Sequence, residues 1–459
     1  MAQRHILAGL IKWMDREPWH DRFLETMAEH TEEACEEAGI AVPDIAEVLG
    51  QTEAMTVWGA VFEDFLTRPY DDEGGTIVDD YLKRRGWKET LPTRRYMEAV
   101  RDSVMSVYEV SGIVPGESFL ARDLIRGGDC IRVSERSATK MLKPWDRIAT
   151  RIVEVNGKTM MTGGTLVLGP DAADDLIEYF SSAPGVLRQT IYEVADGDNR
   201  DLLDGLDLDA AINDSVVLGM SSEAFTAAWL GESLHRALHP PQVVNHDGDP
   251  IEFQTVRYPL VAGAADVARQ RLGAHPDLRQ EDETFWNWIA PPGSPLLGQG
   301  STQTFTTTLS DGAPVLGNIE VKDDAVLLHV NSQARVERGQ TLLGALLGEL
   351  AGAPSVAATA ADSAKAKNAA AKGDVFSEPE RIDAVRAYLD QHYHSVLDQP
   401  LARLDNETPR AAAQTPHGRA KLAAWLKYLE NQTAANPDRA LQYNFGWMWT
   451  ELGVAELRA

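Results

Sequence analysis

"RIATRIVEVNGKTMMTGGTLVLG", residues 147–169, decides how the chain is read. Short apolar runs flank Asn156-Gly157, and Asn-Gly between such runs marks a two-residue hairpin, whose turn positions both need positive φ. Upstream, "CIRVSERS", "SFLARDLI" and "VYEVSGIV" have the same short period, with Gly127-Gly128 and Pro115-Gly116 between them. Residues 107–170 are therefore predicted to form a small antiparallel, barrel-like β domain.

Moving outward, the period changes to that of helices. In residues 1–106, "DRFLETMAEHTEEACEEAG" is rich in helix formers and stops at Gly39. "TVWGAVFEDFL" and "IVDDYLKRRGW" place apolar residues three and four apart, and Pro92 opens a further helix. Residues 171–350 read as one α+β domain. It has helices at "DAADDLIEYF" and "SSEAFTAAWLGESLHRALH", mixed segments "IEFQTVRYPLV" and "TQTFTTTLS" on either side of a helix near "AADVARQRLG", a strand pair turning at Asp323-Asp324, and a last helix "ARVERGQTLLGALLGEL". Residues 351–374 are alanine-rich and nearly free of large apolar side chains, so they are predicted to be a linker, which partial helix would make semi-rigid. Residues 375–459 are predicted to be an all-helical C-terminal module. The expected fold class is α+β multidomain, of about three domains for this length.

Composition narrows the function classes. The net charge of −27 repels phosphate backbones, and "KRRGWK" and "RIATR" are too short to make a basic stripe, so no nucleic-acid partner is expected. No apolar run approaches the roughly 20 residues of a membrane helix. The first residues meet charge and Trp too early for a secretory signal. Cys35 and Cys130 are the only cysteines, which excludes a disulfide framework. These features predict a cytoplasmic protein.

The C-terminal module has the most specific punctuation. Thr408-Pro409 and Thr415-Pro416 each pair a capping hydroxyl with a proline at the first helical position. The second helix then carries Leu422, Trp425, Leu426 and Leu429 on one face. Upstream, Ile382, Val385, Leu389 and Val396 form another apolar face. "YNFGWMWTELGV" adds Tyr443, Phe445, Trp447, Met448 and Trp449. A small domain with this many aromatics either closes its own core or leaves apolar surface for a partner.

"HYHSVLDQPLARLDNETPRAAAQTPHGRAKLAAWLKYLENQ", 392–432, resembles the C-terminal toxin-binding domain of Xre/MbcA/ParS-type antitoxins. The matching residues are Leu397, Pro400, Leu404, Thr408, Pro409, Thr415, Gly418 and the closing leucine-rich helix. The resemblance implies a small helical module that binds a partner toxin. Such antitoxins are short and begin with a DNA-binding helix-turn-helix, whereas this chain is far longer. "FEDFL", "DDYLKRRGWKET", "MTGGTL" and "LGNIEVKDDAVLLHVNSQARVERGQTLL" resemble a second, uncharacterised bacterial family, some of whose members carry a cysteine-rich SEC-C zinc motif. This chain lacks that cysteine cluster, so the resemblance implies no zinc.

Other motifs have ordinary explanations. Residues 42–65 have a helix-turn-helix outline, but no Arg or Lys follows Gly50 to read bases. Ser137 and Lys140 match S-x-x-K between strands, where a turn is expected. Glu63, Asp64, Asp71, Asp72, Glu73, Asp79 and Asp80 read as a solvated acidic surface. The expected function is protein binding without catalysis, through Leu397, Pro400, Leu404, Thr408, Pro409, Trp425, Trp447 and Trp449, with no cofactor or metal. The alternative is an enzyme or metal-binding protein with a site in residues 107–345. His235, His239 and His246, with Asp247 and Asp249, are its best ligands.

Overall fold

The N-terminal helices begin and end where local chemistry places them. In the computed structural model these are α1 (Ala8–Met14), α2 (Trp19–Ala38), α3 (Ile45–Leu49), α4 (Gln51–Thr67), α5 (Ile77–Arg85) and α6 (Leu91–Arg101). The structure describes residues 7–70, 75–194, 206–240, 243–291, 303–305, 307–309, 312–358, 386, 389–434 and 442–458. Gly39 closes α2 in the left-handed conformation, and Thr76 and Asp79 form a capping box on α5. Gly50 turns α3 into α4 at φ 96°, as the helix-turn-helix outline suggests. However, α4 buries Val57, Val61, Phe62, Phe65 and Leu66 in the core, so it is a packing helix.

The β domain follows as β1 (Met105–Val114), β2 (Ser118–Asp123), β3 (Ile131–Ser134), β4 (Arg147–Val155), β5 (Lys158–Met161) and β6 (Leu166–Leu168). The strand order is β3-β2-β1-β4-β5, all antiparallel, with β6 on β4. β3 also approaches β5, so the sheet curls. Asn156 and Gly157 take φ 53° and 74° in the β4–β5 hairpin, as the sequence required. The curled sheet buries both faces. Tyr108, Val110, Phe119, Val133 and Ile148 fill its interior, while Met105, Val107, Ala149, Val153 and Leu166 join the core of the N-terminal helices. Two-sided burial explains why β1 and β4 read as apolar runs rather than alternating strands.

The domain borders expected from sequence need correction. The chain forms two compact units, Met1–Leu238 with Glu378–Ala459, and His239–Ser377. Residues 1–106 and 107–170 share one core rather than standing as separate domains. The expected 171–350 domain is divided. Helices α7 (Pro170–Val194), α8 (Leu208–Ala211), α9 (Asp214–Met220) and α10 (Glu223–Leu238) belong to the first unit, where Phe180 stacks on Phe225 at 4.7 Å in that same core. Local periodicity identifies these helices but does not say which hydrophobic face they meet.

In the second unit an antiparallel sheet packs with α11 (Ala265–Gly273) and α12 (Gln333–Leu347). Its strands include β8 (Gln254–Pro259), β9 (Leu278–Gln280), β10 (Phe285–Ile289), β13 (Pro314–Val321), β14 (Ala325–Val330) and β15 (Ser355–Ala358), in the order β15-β8-β14-β13-β10-β9. A short parallel pair, β7 (Val243–Asn245) with β11 (Gln303–Phe305), and β12 (Thr307–Thr308) on β13 complete the strands. β13 and β14 turn at Asp323-Asp324, as expected. β15 lies inside the expected linker 351–374 and pairs with β8. An edge strand needs only backbone partners on one side, so its lack of large side chains did not exclude it. Residues 359–374 of the linker lie outside the described residues. The chain is thus an α+β multidomain protein, and among the described residues no helix is long and apolar enough to cross a membrane.

A buried polar cluster ties the first unit together. Glu63 and Asp64 on α4 are only 4% and 1% exposed, which corrects their reading as solvated surface. Glu63 Oε1 accepts the backbone N–H groups of Gly163 (2.7 Å) and Gly164 (2.9 Å), and its Oε2 accepts the Thr162 hydroxyl at 2.5 Å. Asp64 accepts Arg151 Nη2 at 3.0 Å and Arg68 Nε at 2.6 Å, and lies 3.1 Å from His30 Nε2. The other His30 nitrogen is 3.0 Å from the Thr226 hydroxyl on α10. Burial raises the Glu63 carboxyl, and its donors offset only part of that. Burial acts the same way on Asp64, but the His30 hydrogen bond and the Arg151 and Arg68 charges win, holding it below the usual carboxylate range.

Candidate functional site: the C-terminal module and its seat

The C-terminal module is built by the residues that carry its sequence motif. Thr408 accepts the Ala411 N–H and caps α13 (Pro409–Ala412), which is barely one turn long. Thr415 accepts the Gly418 N–H at 3.0 Å and starts α14 (Pro416–Ala434). Gly418 sits against the end of α13, where a Cβ would lie 2.2 Å from the Ala412 carbonyl oxygen. The motif therefore encodes two caps and one close approach between helices.

The expected binding residues mostly face inward. Leu397, Leu404, Trp425 and Trp449 share a core with Val396, Leu422, Leu426, Phe445 and Met448, and Pro409 is also buried. Thr408 serves as a cap. Trp447 is half-buried, stacked on His394 at 4.1 Å and donating to the Tyr443 hydroxyl. Pro400 alone among the eight is exposed. Ile382 and Val385 lie outside the described residues, while Leu389 and Val396 lie on the helical stretch 389–396. α15 (Gly446–Glu451) closes the module.

The exposed side of α14 rests on the β domain of the same unit. Lys427 Nζ donates to Glu109 Oε1 at 2.6 Å, with both side chains largely buried. Lys427 also lies over the Trp145 ring, 4.6 Å from its centroid. Trp145 Nε1 donates to Glu430 Oε2 at 2.7 Å, and Glu430 Oε1 accepts from Trp449 of the module core at 3.0 Å. Asn431 Nδ2 donates to the Pro144 carbonyl (3.0 Å) and to Asp146 Oδ1 (2.7 Å). A cavity of about 430 Å³ remains in this seam.

The turn that presents Trp145 is unusual. Asp146 N–H donates to the Lys143 carbonyl at 3.1 Å, with Pro144 and Trp145 between them. Trp145 has φ 69°. This is the pattern of a type II turn, with proline at the second position and a left-handed third residue. That slot suits Gly or Asn, and a bulky residue there is strained. The backbone is held by Trp145 N–H to the Val110 carbonyl at 2.7 Å, and by Val110 N–H to the Asp146 carbonyl at 2.9 Å. Backbone strain of this kind concentrates at functional positions. Glu109, Trp145, Lys427, Glu430 and Asn431 were not singled out from sequence. The one available signal was Pro-Trp-Asp between two strands, where a glycine was due.

His235 lies on α10 of the first unit, while His239 and His246 belong to the second. Among the described residues no group of three or more His, Cys, Asp or Glu side chains is placed to hold a metal ion. Ser137 and Lys140 are exposed; Ser137 precedes and Lys140 ends a short 3-10 turn.

Residues 48–183 match a family of unknown function (DUF7986). The matched segment includes α4, the β domain and part of α7, and so holds Glu63, Asp64, Arg151, the Thr162–Gly164 turn and Trp145. No curated protein and no solved structure matches the chain.

Proposed function

We propose that this chain is a non-catalytic protein-binding protein and that its C-terminal module is the binding element. The observation that carries this reading is the division of labour in the module. Its described residues share a hydrophobic core of their own, yet the module meets the β domain through polar contacts that leave the seam partly unfilled. An apolar, interlocked seam would make it a fixed part of the first unit. A polar one fits a module that docks and releases, because the groups paired across it are hydrogen-bonded by water once apart. The antitoxin-like motif makes a toxin the first partner to test, and the cytoplasm the compartment in which to seek it.

The test is co-purification. The tagged full chain and a chain ending at residue 374 are each used to capture proteins from a native-like host. A protein retained in stoichiometric amount only by the full chain supports the reading. Equal, empty captures from both would overturn it.

A second reading rests on His246. This ring is buried at 3% exposure with both nitrogens unpartnered among the described residues, and its loop packs on the start of α12 through Asp247–Arg335 at 2.8 Å. One buried Arg335 nitrogen is likewise unpaired among the described residues. Such groups are costly unless something bonds them. Metal analysis and native mass spectrometry of the intact protein, against His246→Ala, would reveal a bound species there.

A further inference from the structure

The face of α14 that meets the β domain carries a recognition pattern of its own. On the module side, the cavity wall presents Arg403, Lys421, Lys427, Tyr428 and Asn431 over a floor of alanines; Lys421 pairs with Asp405 at 2.5 Å, and Glu430 beside them accepts the Trp145 indole. Arg403 lies over the Tyr428 ring, 4.2 Å from its centroid. On the β-domain side the wall presents Glu109, Asp146 and Asp174, with one cation, Arg147, which pairs with Asp174 at 2.5 Å. The chain as a whole is at −27, so a face on which Arg403, Lys421 and Lys427 outnumber Asp405 and Glu430 is a local reversal of sign.

We infer that this basic, aromatic face of α14 is the partner surface, and that Glu109 with the Lys143–Asp146 turn is an internal stand-in for the partner. The partner is an acidic protein segment that bears an exposed tryptophan. This rests on the protein-binding reading above and names the surface and its chemistry. The stand-in shows what the face accepts: a carboxylate on Lys427, an indole N–H on Glu430, and a carbonyl and carboxylate on Asn431. Trp145 reaches this position only by holding a backbone conformation that glycine would hold without strain. The unfilled space of about 430 Å³ shows that the stand-in occupies only part of the face. A partner that fills more of it displaces the turn, so the seat holds the module in a closed state.

The test uses the full chain and a short fluorescein-labelled synthetic peptide in which one tryptophan is flanked by acidic residues. Binding is read by fluorescence anisotropy. Trp145→Gly relaxes the turn and opens the seat, so it should bind the peptide about tenfold more tightly than the wild type, as removal of a competing closed state requires. Adding Lys427→Glu should abolish that gain. A peptide with alanine in place of tryptophan, and a short DNA oligonucleotide, should bind about tenfold more weakly or not at all. Equal binding by wild type and Trp145→Gly overturns the closed state. Equal binding of the tryptophan-free peptide or of DNA overturns the partner chemistry and marks a general polyanion face.

Hydrogen exchange gives a second readout that does not depend on the peptide. Glu109→Lys alone should raise exchange of the Trp145 and Asp146 amides, and Glu109→Lys with Lys427→Glu should restore protection. Failure to restore it overturns the seat as drawn. If the full chain captures a protein partner while the opened variant ignores the peptide, this inference fails and the protein-binding reading stands.

Discussion

Glu63 and Asp64 are adjacent in sequence and equally buried, yet their surroundings push their carboxyls in opposite directions. Consecutive helix positions point roughly 100° apart, so Glu63 meets neutral donors and Asp64 meets cations. For Asp64→Asn the expected loss is about 3 kcal/mol or more at pH 7, because Arg151 and Arg68 lose a buried partner. The lowered carboxyl stabilises the fold fully above its unfolded value of about 3.9, and this contribution fades as the pH falls below it. The gap between wild type and Asp64→Asn should therefore narrow in acid. Glu63 has the opposite sign. Its raised carboxyl favours the fold at low pH, and stability falls as the pH rises from about 4.3 toward the folded value. Glu63→Gln should remove that slope and stay within about 1 kcal/mol of wild type at pH 7, since an amide still accepts the two glycine N–H groups. Urea unfolding of the three proteins between pH 2 and 7 checks both statements.

At the scale of elements, the punctuation of the C-terminal module was legible because each signal is local. A Thr-Pro pair caps a helix whatever surrounds it, and α13 and α14 start where those pairs stand. Thr408→Ala should cost about 1 kcal/mol. Gly418→Ala should cost about 1–3 kcal/mol, since a methyl group there drives into the Ala412 carbonyl. Both are measurable by thermal unfolding followed through tryptophan fluorescence. The surface of α14 was not legible in the same way. Lys427, Glu430 and Asn431 have the look of ordinary solvated residues, and it is the docked β domain that pairs all three. The binding set expected from sequence chose the large apolar residues, which the fold needs for its core.

Across the whole molecule, cores mark the boundaries more reliably than changes of period. The β domain reads as a separate unit, but Met105, Val107, Ala149 and Leu166 lie in the helical core. A fragment of residues 107–170 should therefore fail to fold alone, its outer sheet face left bare. A fragment of residues 239–358 keeps the sheet, its two helices and their shared core, and should fold cooperatively. Circular dichroism and amide chemical-shift dispersion of the two fragments would distinguish them.

The sequence by itself determined most helices and the strands of the β domain, the Asn156-Gly157 and Asp323-Asp324 turns, and the caps of the C-terminal module. All of these depend on neighbours within a few residues. Tertiary structure decided the rest. It buried Glu63 and Asp64, gave α7–α10 to the first unit, made an edge strand of Ser355–Ala358, and set Trp145 against Glu430. These outcomes depend on which surfaces meet across long stretches of chain, and the local pattern of apolar residues leaves that choice open.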